Sequence, residues 1–191
     1  MIKLMKFNYQ QDFPNIDFRQ HPELYQVGIG EQGVLLVEPY KGEILPYWRF
    51  RTPDIARESA EAIYALYLDY KKKDDFVGMD MARKFIQRGC TRSRRYANHS
   101  SGRKWSEDHT VVLPQNLTHH DNEKAVSVQI FKVKWDLIRS DPDYQRIMDA
   151  HRERYETLPH EMALFHAEHT DGAKTASVTS AEPEDAQGHK K

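Results

Sequence analysis

The clearest hydrophobic pattern lies in the middle of the chain, where apolar residues recur every three to four positions. The recurring residues are Ile55, Ala56, Ser59, Ala62, Ile63, Leu66 and Tyr67. This spacing places them on one face of an amphipathic helix. Thr52 suits the N-cap and Pro53 the first helical position, so the pattern predicts a helix that begins there and ends in the polar KKKDD run.

Three later segments show the same helical period. The segment MDMARKFIQR predicts a second helix, and Gly89 at its end either caps it or allows close packing against a neighbour. Residues suited to starting a helix precede the other two segments: Asp121 or Asn122 for the third helix, and Asp141 with Pro142 for the fourth. The fourth helix is predicted to run to about Tyr155. The second half of the chain is therefore expected to be largely helical.

The N-terminal third shows a different pattern, with short aliphatic runs instead of helical spacing. GVLLVEPY and EILPYWRFRT are separated by YKGE and predict a hairpin of two strands, and HTVVLP predicts a further short strand. Pro39 and Pro46 indicate that these strands are short, bulged or at an edge. Strands followed by helices favour an α+β fold, with a small antiparallel sheet of two or three short strands covered by about four helices.

The chain is expected to contain one domain with extensions at both ends. Its 191 residues are enough to bury a real core. We predict an N-terminal extension over residues 1–6, the α+β domain over 7–156 and a short helical extension over 157–169. Residues 170–191 contain no aromatic residue and a single large aliphatic, so we predict a disordered tail there.

Composition indicates the cellular compartment and argues against disulfide and metal chemistry. No apolar run approaches the roughly 18 residues of a membrane-spanning helix. The single cysteine, Cys90, excludes an intrachain disulfide and favours a reducing compartment, so we predict a cytoplasmic protein, with the nucleus as the other intracellular option. His119, His120 and Asp121 lack the spacing of a metal site. We therefore expect no metal, no cofactor and no membrane partner, and the sequence leaves the oligomeric state open.

Charge is distributed very unevenly along the chain. Residues 76–105 carry eight Lys or Arg and a single acidic residue, although the whole chain has a net charge of only −1. Arginine presents a fixed fork of donors that suits phosphate oxygens, and aromatic rings beside arginines are used to stack bases of single-stranded nucleic acid. The residues predicted to contact phosphate or nucleic acid are Arg88, Arg92, Arg94, Arg95, Tyr96, Arg103, Lys104, Trp105, Arg49 and Arg51. The alternative is that these cations pair with the acidic remainder of the chain.

Long segments of the chain resemble a known family. These are IDFRQHPELYQVGIGEQGVLLVEPYKGEILPYWRF, FVGMDMARKFIQRGCTRSRRYANH and FKVKWDLIRSDPDYQ. Over roughly Phe7 to Ile147 the sequence resembles DUF4385, a domain of unknown function in small proteins of bacteria, viruses and some fungi. The resemblance implies a single domain and an intracellular setting, and it supplies no catalytic residues. The C-terminal tail is longer than is usual in that family.

Two classes of function follow from these observations. The first is a non-enzymatic module that binds phosphate or nucleic acid through the arginine-rich residues 83–104. The second is an enzyme acting on a phosphate-bearing nucleotide or sugar, in an arginine-lined pocket near Gly28–Gly33 and Asp80. Gly28, Gly30 and Gly33 are spaced as G-x-G-x-x-G, but they precede a predicted strand and so do not match a dinucleotide site. The sequence favours binding and leaves the question of catalysis open.

Overall fold

The computed structural model describes residues 5–157, which are almost entirely helical or irregular. The α-helices in this part are α1 (Tyr40–Ile44), α2 (Pro53–Lys72), α3 (Phe76–Asn98), α4 (Glu123–Arg139) and α5 (Pro142–Tyr155). Three short 3-10 turns lie before α2. The short helical extension and the disordered tail were predicted for residues 157–191, and all of these except Thr157 lie outside the described part.

The predicted α+β fold is wrong, because residues 5–157 form no β-sheet. In the run GVLLVEPY the buried residues are Val34 and Val37, followed by Tyr40 and Ile44, which is a helical spacing of three to four. Gly33 has a positive φ of 76° and its carbonyl accepts the Leu36 N–H at 2.9 Å, so the chain turns here instead of extending. The segment GVLLVEPY, predicted as a strand from its aliphatic composition, therefore forms a series of turns leading into α1.

The other two predicted strands are also absent as members of a sheet. Leu45–Tyr47 is a 3-10 turn, and the extended residues that follow it have no neighbouring strand within residues 5–157. Proline at position 46 provides no N–H for a β-ladder, which disfavours a strand here. The HTVVLP segment contributes an isolated bridge between Trp105 and Val112.

All four predicted long helices are present, and three of them start at the expected capping residues. The second, α3, is longer than the predicted segment and starts after Asp75. The Thr52 hydroxyl accepts the Ile55 N–H at 3.3 Å at the start of α2. Asn122, one of the two candidates for α4, accepts the Ala125 N–H at 2.9 Å. Asp141 caps α5. A side-chain oxygen at the N-cap satisfies one of the free N–H groups of the first turn, which fixes where each helix begins.

Helix α3 is the centre of the domain and packs against both α2 and α4. Every residue from Phe76 to Ile86 is buried, so the first half of this helix is enclosed on all sides. Gly89 does not end the helix. A Cβ atom at this position would lie 2.5 Å from ring atoms of Phe131 on α4, so the glycine allows the two helices to approach closely. The predicted role in close packing is confirmed.

The two ends of the described chain are joined through Glu156. Its carbonyl accepts the Met5 N–H at 2.8 Å, and its buried carboxylate accepts the Val27 N–H at 2.7 Å. His151 on α5 is hydrogen-bonded to the carbonyl of Tyr25 at 2.8 Å. These contacts hold the irregular N-terminal segment against α5. Across residues 5–157, no helix is both long enough and apolar enough to cross a membrane.

Candidate anion-binding surface and pocket

Helix α3 divides the arginine-rich segment into groups that face different environments. Arg83 and Lys84 lie in the core beside Asp80. Arg88, Arg92 and Arg95 are spaced at i, i+4 and i+7 along the helix and lie around Glu31. Because α3 continues through Gly89, this spacing puts the three arginines on one face of the helix. The basic segment is therefore not one continuous surface.

Asp80 is the centre of a buried ionic cluster. Its carboxylate accepts hydrogen bonds from the hydroxyls of Tyr25 and Tyr144, both at 2.5 Å, and from Arg83 Nε at 2.8 Å. Arg83 Nη2 is 2.7 Å away and Lys84 Nζ is 3.6 Å away. The Lys84 ammonium also donates to the carbonyl of Gln32 at 2.7 Å. Charges of opposite sign are thus enclosed together and hydrogen-bonded, which is the condition for retaining ions in a core.

Burial and mutual contacts shift the pKa values of Asp80 and Lys84. Burial alone would raise the pKa of the Asp80 carboxyl, but the charges of Arg83 and Lys84 and the two tyrosine hydrogen bonds outweigh it. They hold that pKa well below its usual range. Burial lowers the pKa of Lys84 to about 8, against the opposing attraction of Asp80. Asp80 is therefore a permanent anion near neutral pH and is poorly suited to act as a general acid or base.

Glu31 is the acidic residue around which part of the basic segment is arranged. One of its oxygens lies 4.0 Å from Arg88 and accepts a hydrogen bond from Thr91 at 3.2 Å. Burial raises the pKa of Glu31, and the charges of Arg88, Arg92 and Arg95 oppose that rise. The predicted pairing of the basic segment with acidic residues is thus partly present, although Glu31 comes from the N-terminal third and not from the acidic C-terminal part.

The extended residues before α2 bring aromatic rings and further cations to the end of α3. The rings of Trp48 and Phe50 lie 5.0 Å apart, and Phe50 lies 5.9 Å from Tyr96 on α3. The Lys124 ammonium lies within 6 Å of the rings of Phe50 and Tyr96 and donates to the carbonyls of Phe50 and Arg51. We name this surface the aromatic–basic face; it consists of Trp48, Arg49, Phe50, Arg51, Arg88, Arg92, Arg95, Tyr96 and Lys124.

The exposed cations of this region lack nearby carboxylates. Arg49, Arg51, Arg94, Arg95, Arg103 and Lys104 are exposed, and none of them has an acidic partner within the distance of an ion pair among residues 5–157. Arg103 and Lys104 lie in the loop after α3 with Trp105, whose side chain is 41% exposed. Exposed positive charge without an internal partner is available to an anion from outside.

Not every predicted residue belongs to the aromatic–basic face. Arg94 lies on another side of α3, where it lines a shallow cavity with His119 and His120. Trp48, Phe50 and Lys124 were not predicted as contact residues. Nothing in the linear sequence pairs Lys124 with a segment 73 residues away.

The remaining candidates for chemistry are Cys90, a metal site and the glycines of the G-x-G-x-x-G fragment. Cys90 is buried, and burial raises the pKa of its thiol, which is the opposite of what an activated nucleophile needs. Within residues 5–157 no group of three or more His, Cys, Asp or Glu side chains is arranged to hold a metal ion. The glycines of the G-x-G-x-x-G fragment have positive φ, and Gly28 and Gly30 line a pocket together with Arg83.

These features define the class of protein: a helical domain whose aromatic–basic face combines half-buried rings with the exposed Arg49, Arg51 and Arg95, and which has a separate pocket lined by arginines. Residues 8–154 match the family described as a domain of unknown function, DUF4385, and the chain belongs to that family. Comparison with curated proteins and with solved structures gives no match.

Proposed function

We propose that the protein is a binding module for single-stranded nucleic acid and that the aromatic–basic face is its contact surface. The observation that carries the proposal is the arrangement of Phe50 and Tyr96 between exposed cations. Single-stranded nucleic acid presents phosphates and bases together, and proteins bind it by combining positive side chains with rings on which bases stack. The exposed Arg49 and Arg51 lie beside Phe50 in the chain, and Arg95 precedes Tyr96 on α3.

The charge arrangement supports binding over internal pairing. The alternative is that these cations pair with the acidic remainder of the chain, yet the exposed Arg49, Arg51 and Arg95 have no carboxylate within ion-pair distance among the described residues. Each phosphate neutralised by Lys or Arg releases condensed counterions, so exposed cations such as Arg49 and Arg51 contribute directly to affinity. The neighbouring loop adds Arg103, Lys104 and the exposed ring of Trp105.

The chemistry of the core supports binding without turnover at this surface. Asp80, the fully buried carboxylate of α3, is held as an anion by Arg83 and Lys84 and lies inside the domain. A general acid or base must reach its substrate and exchange a proton near neutral pH. The proposal includes a location inside the cell, in the cytoplasm or nucleus, where nucleic acid is found.

The test is binding of a fluorescent single-stranded oligonucleotide by the full chain at several salt concentrations. We expect R49A/R51A to weaken binding and to make the dependence of log affinity on log salt shallower, by about 0.7 for each phosphate that is no longer neutralised. The matched control is R57A/R146A, which removes the same charge from exposed positions on α2 and α5. This control should bind as the parent does.

Melting temperatures of the same variants distinguish a weakened binding surface from a destabilised fold. Arg49 and Arg51 are exposed and have no acidic partner within the described chain, so their replacement should leave melting nearly unchanged. Equal weakening by R49A/R51A and by R57A/R146A would show that only net charge matters and would refute the assignment of this face. Failure of the parent to bind any oligonucleotide at low salt would refute the proposed function.

A further inference from the structure

The pocket lined by Gly28, Gly30 and Arg83 lies away from the aromatic–basic face. It is formed by the Gly28–Gly30 turn, α3, the end of α4 and α5. Its volume is about 500 Å³, within the range of about 300–1,000 Å³ typical of small-molecule sites. We propose that this pocket binds a small organic phosphate monoester. The site is independent of the nucleic-acid proposal, because it uses other residues on another side of α3.

The lining of the pocket contains three arginines. Guanidinium groups reach it from three helices: Arg83 on α3, Arg139 at the end of α4 and Arg152 on α5. Asp149 is the carboxylate among the lining residues. Arg83 and Arg139 are ion-paired with Asp80 and Asp136, whereas Arg152 has no carboxylate partner within residues 5–157. Charged groups in a concavity act on a ligand more strongly than on a convex surface, because less water screens them. The pocket therefore favours an anion.

Two hydrogen-bond donors in the lining have no acceptor in the described part of the chain. They are the indole Nε1 of Trp135 and the Nε of Arg152, and both atoms are buried. A buried N–H without a partner is rare in proteins, because its desolvation is not compensated. An oxyanion in the pocket would supply the missing acceptors. This pair of donors is the most specific evidence for a ligand at this site.

Arg83 and Arg152 are held in place by hydrogen bonds before any ligand binds. Arg83 donates from Nη1 to the carbonyl of Gly30 at 2.7 Å and to Gln87 at 2.6 Å, while its other nitrogens are bonded to Asp80. Arg152 donates from Nη2 to the carbonyl of Gly28 at 3.1 Å. Side chains fixed in this way lose little freedom on binding, so more of the interaction energy appears as affinity.

The rest of the lining suits an organic substituent. The indole of Trp135 and the side chain of Met148 provide apolar surface, and the amides of Gln87 and Gln145 provide polar contacts. A phosphate monoester carries close to two negative charges and three free oxygens, whereas a carboxylate carries one charge and two oxygens. The three guanidiniums and the Trp135 indole offer donors to three oxygens, and Arg152, which has no carboxylate partner within residues 5–157, supplies positive charge that is not already compensated.

The test uses phenyl phosphate and benzoate, which share an aromatic ring and differ in the anionic group. Calorimetric titration of the full chain should show phenyl phosphate binding, and benzoate should bind at least tenfold more weakly. W135F removes the unpartnered indole N–H and keeps an aromatic wall, and R152Q removes a charge and the second unpartnered donor. Each should weaken phenyl phosphate binding roughly tenfold, the effect of removing one hydrogen bond to a charged group.

Two matched controls define the site. R146Q changes an exposed arginine of the same helix that does not line the pocket, and R49A/R51A alters the aromatic–basic face; both should bind phenyl phosphate as the parent does. W135F should in turn bind the oligonucleotide with the affinity of the parent. A failure of the phosphate proposal is therefore distinguishable from a failure of the nucleic-acid proposal. The inference is overturned if phenyl phosphate does not bind at about 10 mM, if benzoate binds equally well, or if folded W135F and R152Q both retain parental affinity.

Discussion

Replacing Asp80 by Asn should be among the most damaging single changes in the domain. The substitution keeps the shape of the side chain and removes its charge, which leaves Arg83 and Lys84 enclosed without a counterion. Breaking a buried ion pair from one side costs about 3–5 kcal/mol of unfolding free energy. For a domain of this size, 1 kcal/mol shifts the melting temperature by about 2–4 °C. D80N should therefore melt roughly 6–20 °C below the parent.

The control for this experiment is D136N on α4. Asp136 also contacts two cations, Lys132 and Arg139, both at 2.5 Å, but its side chain is 42% exposed whereas that of Asp80 is fully buried. Exposed pairs are screened by water and contribute little. D136N should therefore lose only a small fraction of the stability that D80N loses. The assay is thermal unfolding followed by circular dichroism, with chemical denaturation for the free energies.

The pH dependence gives a second measure of the same cluster. The pKa of Asp80 is held below its unfolded value of about 3.9, so its contribution to stability is present above about pH 4 and is lost as the pH falls towards the folded pKa. D80N should show a flatter loss of stability between about pH 4 and pH 2 than the parent. If D80N and D136N melt together, or if their acid profiles coincide, the charge of Asp80 does not stabilise the fold.

Two further predictions concern α3. Overpacking against the Phe131 ring costs about 1–3 kcal/mol and alanine gains roughly 1 kcal/mol in helix propensity, so G89A should lower the free energy of unfolding by up to about 2 kcal/mol. In an F131L background the cost of G89A should be smaller. An undiminished cost in that background would refute the steric cause. Burial lowers the pKa of Lys84 to about 8 in the folded protein. Between about pH 8 and pH 10 the unfolded chain therefore binds more protons than the folded protein does, so the free energy of unfolding should rise with pH in this range. The melting temperature of the parent should accordingly increase relative to that of K84M from about pH 7.5 to pH 9.5, and a constant difference would contradict the lowered pKa.

The helical half of the fold was predictable because its signals are local. Thr52 and Asn122 cap helices through atoms three residues away, and the buried positions of α2 follow a period that can be counted in the sequence. The N-terminal third was not predictable in the same way. Its aliphatic residues are buried through turns that depend on the positive φ of Gly33 and on contacts with distant helices. An aliphatic run of this length is consistent with a strand or with a buried turn, and tertiary packing decides.

The candidate site was predictable in composition and not in arrangement. The sequence identified the arginines of α3 as candidates, and whether Arg88, Arg92 and Arg95 share a face depended on the helix continuing through Gly89, which it does. It did not anticipate Glu31 beside those arginines, because that carboxylate arrives from a segment 57 residues earlier along the chain than Arg88. The pocket near Gly28 and Asp80 was expected as part of an enzyme, and its two unpartnered donors become visible only in three dimensions.

The hydrogen bond between Met5 and Glu156 has a consequence for the topology of the chain. The polypeptide enters and leaves the domain at neighbouring points, so the path through the helices is nearly a closed circuit. Residue 157 could be joined to residue 5 by a linker of about six residues, and new termini could be opened in the exposed loop around Val111. The same packing would then be encoded by a sequence that starts with α4. The order in which the helices are connected is thus separable from the way they pack.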